Sequence, residues 1–310
     1  MRKILITILK RWLPAALTLA CVTAGSGQVL AQSFAGPSKD SNSTALLQKY
    51  SALAGQLTQN QYRRPLVLES SENADTVSGD AYAVLDSPFN TVSTTFKSPK
   101  HWCEMLILHI NTKYCRASAN VSPSMLKVNI GKKTAQQLSD AFLLEFAYRL
   151  AADSPDYLAA QLNADKGPLG TSNYRMALRA VPLPEGKTFV HLRYSYDYGV
   201  ASRLAMQGYL ATLGRGKVGF TQIRHSQPLA YVEGMRGAVE RNTMRYYLAI
   251  EAYLATLGRP QVQQLDARLA YWFDATEEYS RQLHEVNRDT YIAMKKDEYR
   301  RQETSTPPPG

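Results

Sequence analysis

The sequence has 310 residues, of which 45% are hydrophobic and 20% are charged, and its formal net charge is +10. This composition is ordinary for a globular protein and provides ample material for a hydrophobic core. It excludes a mainly disordered chain, and the length predicts one large domain or two small ones.

Residues 1–31 have the parts of a secretory signal peptide. Basic residues come before the apolar run Trp12–Val22, which is short for spanning a bilayer. Val29-Leu30-Ala31 then offers small residues at the two positions that a signal peptidase reads. We therefore expect cleavage after Ala31 and a periplasmic protein, soluble or peripherally bound to a membrane. The alternatives are an uncleaved N-terminal anchor and a lipoprotein acylated at Cys21.

Cleavage would also change the charge of the protein. It would remove four basic residues and no acidic ones, which leaves a net charge of +6. This mild excess fits attraction to an anionic membrane surface, and it fits equally well a protein with no charged partner. We predict no nucleic-acid partner.

Cys103 and Cys115 are the cysteines that remain after cleavage. An even number of cysteines in an exported chain favours a disulfide bond, and the competing interpretation is a pair of buried free thiols. With His101, Glu104 and His109 they form the densest group of potential metal ligands. The spacing of this group matches no zinc site, so we predict no metal.

Residues 32–62 are predicted to form a polar linker followed by a helix. The linker ends near Asn42, and Ser43 can cap a helix that runs to about Asn60 with its leucines on one face. Such a helix needs a surface on which to pack.

The chain from Arg63 to Ile223 is predicted to consist mainly of strands and turns. Alternating apolar residues, bounded by Gly, Pro, Asn and Asp, are typical of antiparallel hairpins. Two short helices are predicted at 89–96 and 98–106, and 200–213 is predicted to be a helix or an irregular lid. The predicted strands cover residues 63–70, 79–85, 107–116, 125–130, 142–150, 157–162, 174–181, 187–198 and 218–223.

The longest helical pattern in the middle of the chain is Glu233–Gly258. Its apolar residues are three, four or seven positions apart, so they line one face. Gly258 and Pro260 are typical of a helix end. The apolar face consists of Met235, Val239, Tyr246, Ile250, Tyr253 and Leu257.

Residues 259–302 carry a second helical pattern. From Val262 to Thr290, apolar residues follow one another at spacings of three and four, which is the pattern of a heptad seam. Two interpretations stay open here, a long helix packed on its own domain and a coiled coil that makes a homodimer through residues 261–301. Residues 303–310 are predicted to be a disordered tail.

This order of elements resembles the START-like helix-grip fold, also called the SRPBCC superfamily. The likeness is carried by Gly79–Phe89, a strand that runs into a proline-broken helix pair, by Ser98–Leu106 with its Pro-x-x-Trp element, and by the helix that begins at Glu233. It covers residues 63–258, and it indicates an exported bacterial member of the superfamily.

The resemblance implies an α+β fold, in which a curved antiparallel sheet wraps around the long helix near the C-terminus. An extra N-terminal helix and a long C-terminal helical extension are additions to the minimal pattern. Members of this superfamily commonly hold a hydrophobic ligand between the sheet and the long helix. Some of them are carriers, and others are cyclases or hydrolases.

The predicted strand 187–198 is rich in tyrosine. Leu192, Tyr194, Tyr196 and Tyr198 share one face of it, and phenol rings combine apolar area with a polar tip, which suits an amphipathic ligand. The alternative is a filled core with tyrosines at its rim. The candidate ligand-binding residues are Tyr174, Met176, Leu178, Leu192, Tyr194, Tyr196, Tyr246, Ile250 and Tyr253.

Two functions of different classes follow from these patterns. The first is an exported binding or transfer protein for a lipid or another hydrophobic small molecule. The second is a structural or interaction protein of the cell envelope, with a filled core, that acts through its C-terminal helix. An enzyme is less favoured, because no pattern indicates a catalytic residue or a cofactor.

Overall fold

The computed structural model describes residues 39–118, 124–211, 216–223 and 229–304. The predicted signal peptide, residues 1–31, lies outside these ranges, and so does the predicted tail beyond residue 304. Within the described ranges, no helix is both long and apolar enough to cross a bilayer.

The helices and strands follow one another in the predicted order. The strands are β1 (Leu66–Glu72), β2 (Thr76–Leu85), β3 (Thr112–Ala117), β4 (Met125–Ile130), β5 (Phe142–Asp153), β6 (Leu158–Lys166), β7 (Thr171–Leu183) and β8 (Lys187–Tyr198). The helices are α1 (Lys39–Thr58), α2 (Phe89–Phe96), α3 (Pro99–Leu106), α4 (Val200–Ala211), α5 (Gly234–Ala255), α6 (Gln261–Glu277), α7 (Ser280–Leu283) and α8 (Arg288–Thr304). Short 3₁₀ turns lie at Leu138–Asp140 and Pro168–Gly170.

The strands form a curved antiparallel sheet in the order β1-β2-β8-β7-β6-β5-β4-β3. Each strand from β3 to β8 pairs with the next strand in sequence. β2 pairs with β8, so β1 and β2 lie at the edge of the sheet opposite β3. The β7–β8 hairpin turns at Glu185 and Gly186, which both have positive φ. The predicted α+β class and the curved antiparallel sheet are confirmed.

The long helix α5 packs against β1, β2 and β8 on the inner face of the sheet. It is buried along most of its length, and several of its charged side chains are buried with it. The helix lies close to the sheet at Gly79 of β2, where a Cβ would overlap the side chain of Thr243. This position therefore requires glycine.

Helix α1 packs on the outer face of the sheet. This face is the surface that the predicted N-terminal helix needed. The ring of Tyr50 on α1 lies 5.1 Å from the ring of Phe189 on β8. The part of the sheet formed by β1, β2 and β7 is thus covered by α1 on its outer face. The core under α1 consists of Leu46, Leu53, Leu57, Val67, Tyr157, Ala159, Val181 and Phe189.

The C-terminal extension differs from the single heptad-patterned helix predicted for residues 259–302. It forms three helices, α6, α7 and α8. The chain leaves helical geometry after Leu283, and the side chain of Asn287 then accepts a hydrogen bond from the Thr290 amide at 2.9 Å, as a helix cap does. In the middle of the predicted seam, Leu269 and Trp272 are buried in the core of their own domain.

Two predicted strands also differ from the structure. Residues 107–111 form a turn after α3, in which the amides of Leu108 and His109 donate to nearby carbonyls. Residues 218–223 make an isolated bridge between Gln222 and Tyr231 instead of a strand. Both segments are short apolar runs, for which periodicity alone does not separate a strand from a buried turn.

Buried charges hold α8 against β3, the edge strand. Lys113 of β3 and Lys295 of α8 both donate to the carboxylate of Glu298, at 3.0 and 2.5 Å. All three side chains are buried. Burial lowers the pKa of Lys295 to about 8, although the charge of Glu298 opposes the shift. Glu298 is the essential member, because its removal would leave two buried lysines without a counter-charge.

Cys103 of α3 and Cys115 of β3 form a disulfide bond across a sequence separation of 12, with their Cα atoms 5.1 Å apart. The predicted bond is therefore present in the structure. It ties the second short helix to the edge strand that α8 covers.

The disulfide bond should stabilise the protein. Replacing both cysteines, as Cys103→Ser with Cys115→Ser, should lower the free energy of unfolding by roughly 3 kcal/mol, because the unfolded chain loses the closed loop. Urea unfolding of the oxidised wild type and of the variant measures the difference. Reduced wild type should behave like the variant, and equal stability of the oxidised and reduced forms would contradict the prediction.

Candidate functional site

A cavity of about 330 Å³ lies between the sheet and the first half of α5. The helix packs on β1, β2 and β8, and the space opens where the helix has left the sheet, over β4 to β7. Ligand sites for small molecules usually measure roughly 300–1,000 Å³, so this cavity is at the small end of the range.

The floor of the cavity is apolar. Alternate residues of each strand point to the same face, and on the inner face of β4 to β7 these residues are aliphatic or aromatic. The apolar side chains of the floor are Val128, Ile130, Leu144, Phe146, Leu162 and Met176.

Four tyrosines form a cluster at the edge of this floor. The ring of Tyr196 stacks on Tyr174 at 5.1 Å, and Tyr194 meets Tyr246 of α5 edge to face at 5.1 Å. Burial raises the pKa of all four phenols, so they stay neutral at physiological pH. The cluster therefore offers flat apolar rings that carry hydroxyl groups.

The side of the cavity formed by α5 is more polar. Arg241 and Arg245 line it although they are only 3% and 1% exposed. Arg241 donates to the carbonyl of Val218 at 3.1 Å. Burial raises the pKa of Tyr196, and the charge of Arg241 opposes that shift, so the guanidinium lies near this phenol. The other residues of α5 that line the cavity are Met235, Ala238, Asn242 and Tyr246.

Glu285 pairs with several cations at this end of the cavity. Its carboxylate lies 2.7 Å from Arg245, 2.6 Å from Lys133 and 3.4 Å from Lys217. Burial alone would raise the pKa of Glu285, but these cations outweigh burial and lower it. Arg245 and Lys133 line the cavity and share the carboxylate of Glu285, which does not line it.

His109 adds a hydrogen-bond donor to this wall. It is 2% exposed, and its ring stacks on Tyr246 at 4.6 Å. Nδ1 accepts from the Asn111 amide at 3.2 Å, which leaves the proton on Nε2. Burial, followed by the charge of Arg245, lowers the pKa of His109 well below its usual value, so the ring is neutral. In the described part of the chain Nε2 makes no hydrogen bond of good geometry, but the side chain of Asn242 is near enough to act as its acceptor and opposes part of the pKa shift.

The nine predicted ligand-binding residues divide between the cavity and the filled core. Five of them line the cavity: Tyr174, Met176, Tyr194, Tyr196 and Tyr246. The other four lie in the packed core: Leu178, Leu192, Ile250 and Tyr253. Contact with a ligand stays a prediction for all nine.

Sequence reasoning missed the polar wall, which consists of Lys133, Arg241, Arg245 and His109. In a helical pattern, arginines beside the apolar stripe usually face solvent. The spacing alone does not distinguish such arginines from buried ones. A usable signal was present, because Arg241 and Arg245 are four residues apart and each immediately precedes a residue of the cavity face. His109 was considered only as a metal ligand.

The described lining of the cavity combines apolar, phenolic and basic side chains. In the described part of the chain, no group of three or more His, Cys, Asp or Glu side chains could hold a metal ion. The described lining includes three cations, a neutral histidine and several phenols, but no carboxylate. An apolar floor that faces a polar wall suits an amphipathic molecule.

Comparison with known proteins adds little to this description. No protein-family model and no curated protein matches the chain. Among solved structures, human StAR-related lipid transfer protein 5 matches with 10% identity over 70% of this chain and 99% of that one, with a TM-score of 0.34. Truncated norcoclaurine synthase from Thalictrum flavum matches with 11% identity over 46% of this chain and 91% of that one, with a TM-score of 0.32.

A third match is the human StarD13 lipid transfer and protein localization domain, with 10% identity, 53% and 88% coverage and a TM-score of 0.29. The strand order and the packing of α5 on the inner face of the curved antiparallel sheet are the helix-grip arrangement that the sequence predicted.

Replacing Glu285 should destabilise the protein. Glu285→Gln should lower the free energy of unfolding by roughly 3 kcal/mol, because the cations would lose the buried charge that they share. Urea unfolding at neutral pH measures the change. Glu277→Gln is the matched control, since it removes a more exposed carboxylate that pairs with His284, and it should change stability little. Equal effects of the two substitutions would contradict the assigned role.

The same carboxylate should make stability depend on pH. A group whose pKa is lower in the folded protein stabilises it above the unfolded pKa, and this contribution is lost as the pH falls through the folded pKa. For Glu285 the ordinary value is 4.5. The difference in stability between wild type and Glu285→Gln should therefore be full at neutral pH and should shrink in acid below 4.5. Unfolding curves recorded across this range test the sign.

Proposed function

We propose that the protein is an exported, periplasmic binding or transfer protein for a lipid or another hydrophobic small molecule. The observation that carries this proposal is the cavity of about 330 Å³, with its apolar floor and its tyrosine rings. The small volume favours a single-chain or compact ring ligand over a two-chain phospholipid. Export rests on the sequence of residues 1–31 and stays a prediction.

The elements that close one side of the cavity support transfer from a membrane surface. These are the turn Pro168–Gly170 and α4, which are joined by a hydrogen bond from Ser202 to the Leu169 carbonyl at 2.8 Å. Their outer surface is apolar, since Leu169, Val200 and Leu204 are 72%, 77% and 62% exposed. Exposed apolar residues beside a cavity favour contact with the membrane from which the ligand would be collected.

The alternative, an interaction protein that acts through its C-terminal helix, has weaker support. The middle of the predicted heptad seam is buried against its own domain, so these residues are not available to a second chain. Val262, at the start of the seam, is 90% exposed, but a single exposed residue does not make an interface. A homodimer through residues 261–301 stays a prediction.

Protein purified without detergent should retain a hydrophobic molecule. Native mass spectrometry should show added mass that disappears after extraction with organic solvent, because an apolar cavity of this size favours occupation. Extracted protein should then take up a neutral hydrophobic fluorophore. Protein that carries no ligand and takes up no fluorophore would contradict the proposed function.

Filling the cavity should abolish uptake of the fluorophore. Ala238 lies on α5 and lines the cavity, so the indole ring of Ala238→Trp should occupy the space that the ligand needs. Ala293→Trp is the matched control, because residue 293 lies on the exposed face of α8. Fluorescence titration should show loss of binding in the first variant and wild-type binding in the second. Circular dichroism confirms that both variants are folded, and unchanged binding by folded Ala238→Trp would place the ligand elsewhere.

A further inference from the structure

We propose that the ligand of this cavity contains a flat ring with a carbonyl oxygen, and that the tyrosine cluster binds both of these parts. This inference rests on the proposed function, because it assigns the chemistry of a ligand in the same cavity. It goes beyond that function, since a hydrophobic ligand in general needs neither a ring nor an oxygen. The cluster consists of four residues that all line the cavity, Tyr174, Tyr194, Tyr196 and Tyr246.

The first argument concerns the hydroxyl groups of the cluster. Tyr194 and Tyr196 are only 6% and 5% exposed. Within the described residues, the hydroxyls of Tyr194, Tyr196 and Tyr246 make no hydrogen bond, and packed atoms do not enclose them as they enclose the unpaired hydroxyl of Tyr114. Because all three residues line the cavity, their hydroxyls face its open space.

Buried tyrosines elsewhere in the protein bond their hydroxyl groups internally. Tyr247 donates to the carboxylate of Glu251 at 3.0 Å. Tyr291 donates to the carbonyl of Leu108 at 2.8 Å. A buried hydroxyl without a partner is unfavourable, because it has given up its hydrogen bonds to water. A ligand that offers an acceptor to the cavity hydroxyls is therefore favoured over a hydrocarbon of the same shape.

The type of acceptor follows from the chemistry of phenols. Burial raises the pKa of Tyr194, Tyr196 and Tyr246, so all three hydroxyls keep their protons and can each donate one hydrogen bond. A carbonyl oxygen has two lone pairs and can accept from two donors at once. Tyr194 and Tyr196 are placed to act together, because their rings are 5.7 Å apart. We therefore expect the oxygen of a ketone, an ester or a quinone at this position.

The second argument concerns the rings of the cluster. Tyr196 is stacked on Tyr174 with an angle of 14° between the ring planes, whereas Tyr194 meets Tyr246 at 61°. Aromatic rings attract one another in both arrangements, stacked with an offset and edge to face. A flat ring of the ligand can extend the cluster in either way, and a flexible chain cannot. The cavity volume of about 330 Å³ suits a compact ring system.

Three small molecules of equal carbon number separate the ring from the oxygen in the wild-type protein. They are acetylnaphthalene, which has both, ethylnaphthalene, which has only the ring, and methyl decyl ketone, which has only the oxygen. Each competes with the neutral fluorophore for extracted protein, and each affinity is corrected for the partition of the molecule between octanol and water. After this correction, acetylnaphthalene should bind about tenfold tighter than either of the other two.

Removing single hydroxyls tests the donors and keeps the rings. Tyr194→Phe and Tyr196→Phe should each weaken binding of acetylnaphthalene by about fivefold and should not weaken binding of ethylnaphthalene. Tyr50→Phe is the matched control, because this ring lies outside the cavity against Phe189, and it should change neither affinity. Extracted Tyr196→Phe should be as stable as extracted wild type in urea, since the missing hydroxyl bonds no described residue.

The outcomes separate the two proposals. Equal corrected affinities for acetylnaphthalene and ethylnaphthalene in the wild type, or equal losses of both in the two cavity variants, would overturn the carbonyl and leave a cavity for hydrophobic ligands. A less stable Tyr196→Phe would also overturn it, since the hydroxyl would then serve the fold. Equal corrected affinities for acetylnaphthalene and methyl decyl ketone would overturn the ring. Failure of the wild type to bind the fluorophore or any of the three molecules would overturn the proposed function itself.

Discussion

The contact between α5 and β2 at Gly79 is the constraint on which the rest of the structure depends. A Cβ at this position would overlap the side chain of Thr243, so the helix can lie this close to β2 only because residue 79 is glycine. The sheet curves away from that contact, but the helix does not follow it. The gap between them widens toward β4 to β7, where the side chains no longer fill it, and the cavity is the space that remains.

Two adjacent residues of α5 show how the helix is held and what it presents. Glu240 is fully buried and accepts hydrogen bonds from the amides of Phe220 and Thr221, at 2.5 and 2.9 Å, so it anchors the helix to the segment before it. Arg241, the next residue, lines the cavity. Glu240 thus fixes the helix to its neighbours, and the next side chain lines the cavity.

The faces of the elements could be predicted from the sequence, because periods of two and of three to four residues report which side chains point inward. The sequence could not predict which residues of a face pack in the core and which line the cavity. Tyr246 and Tyr253 are seven residues apart on the same face of α5, yet the first lines the cavity and the second packs on Arg268. That difference depends on how far the helix has left the sheet, which is a tertiary property. The break at Asn287 was missed because the apolar spacing continues across it.

The buried ion pairs between β3 and α8 affect the order in which the protein folds. Lys113 meets Glu298 across 185 positions of sequence, and the amide of Cys115 on the edge strand is bonded by the side chain of Gln302 at 3.1 Å. Until α8 has docked, the edge of the sheet is uncovered and Lys113 lacks the carboxylate of Glu298. Contacts of such high contact order form slowly, and an open edge can pair with other chains, so α8 protects this edge only late in folding.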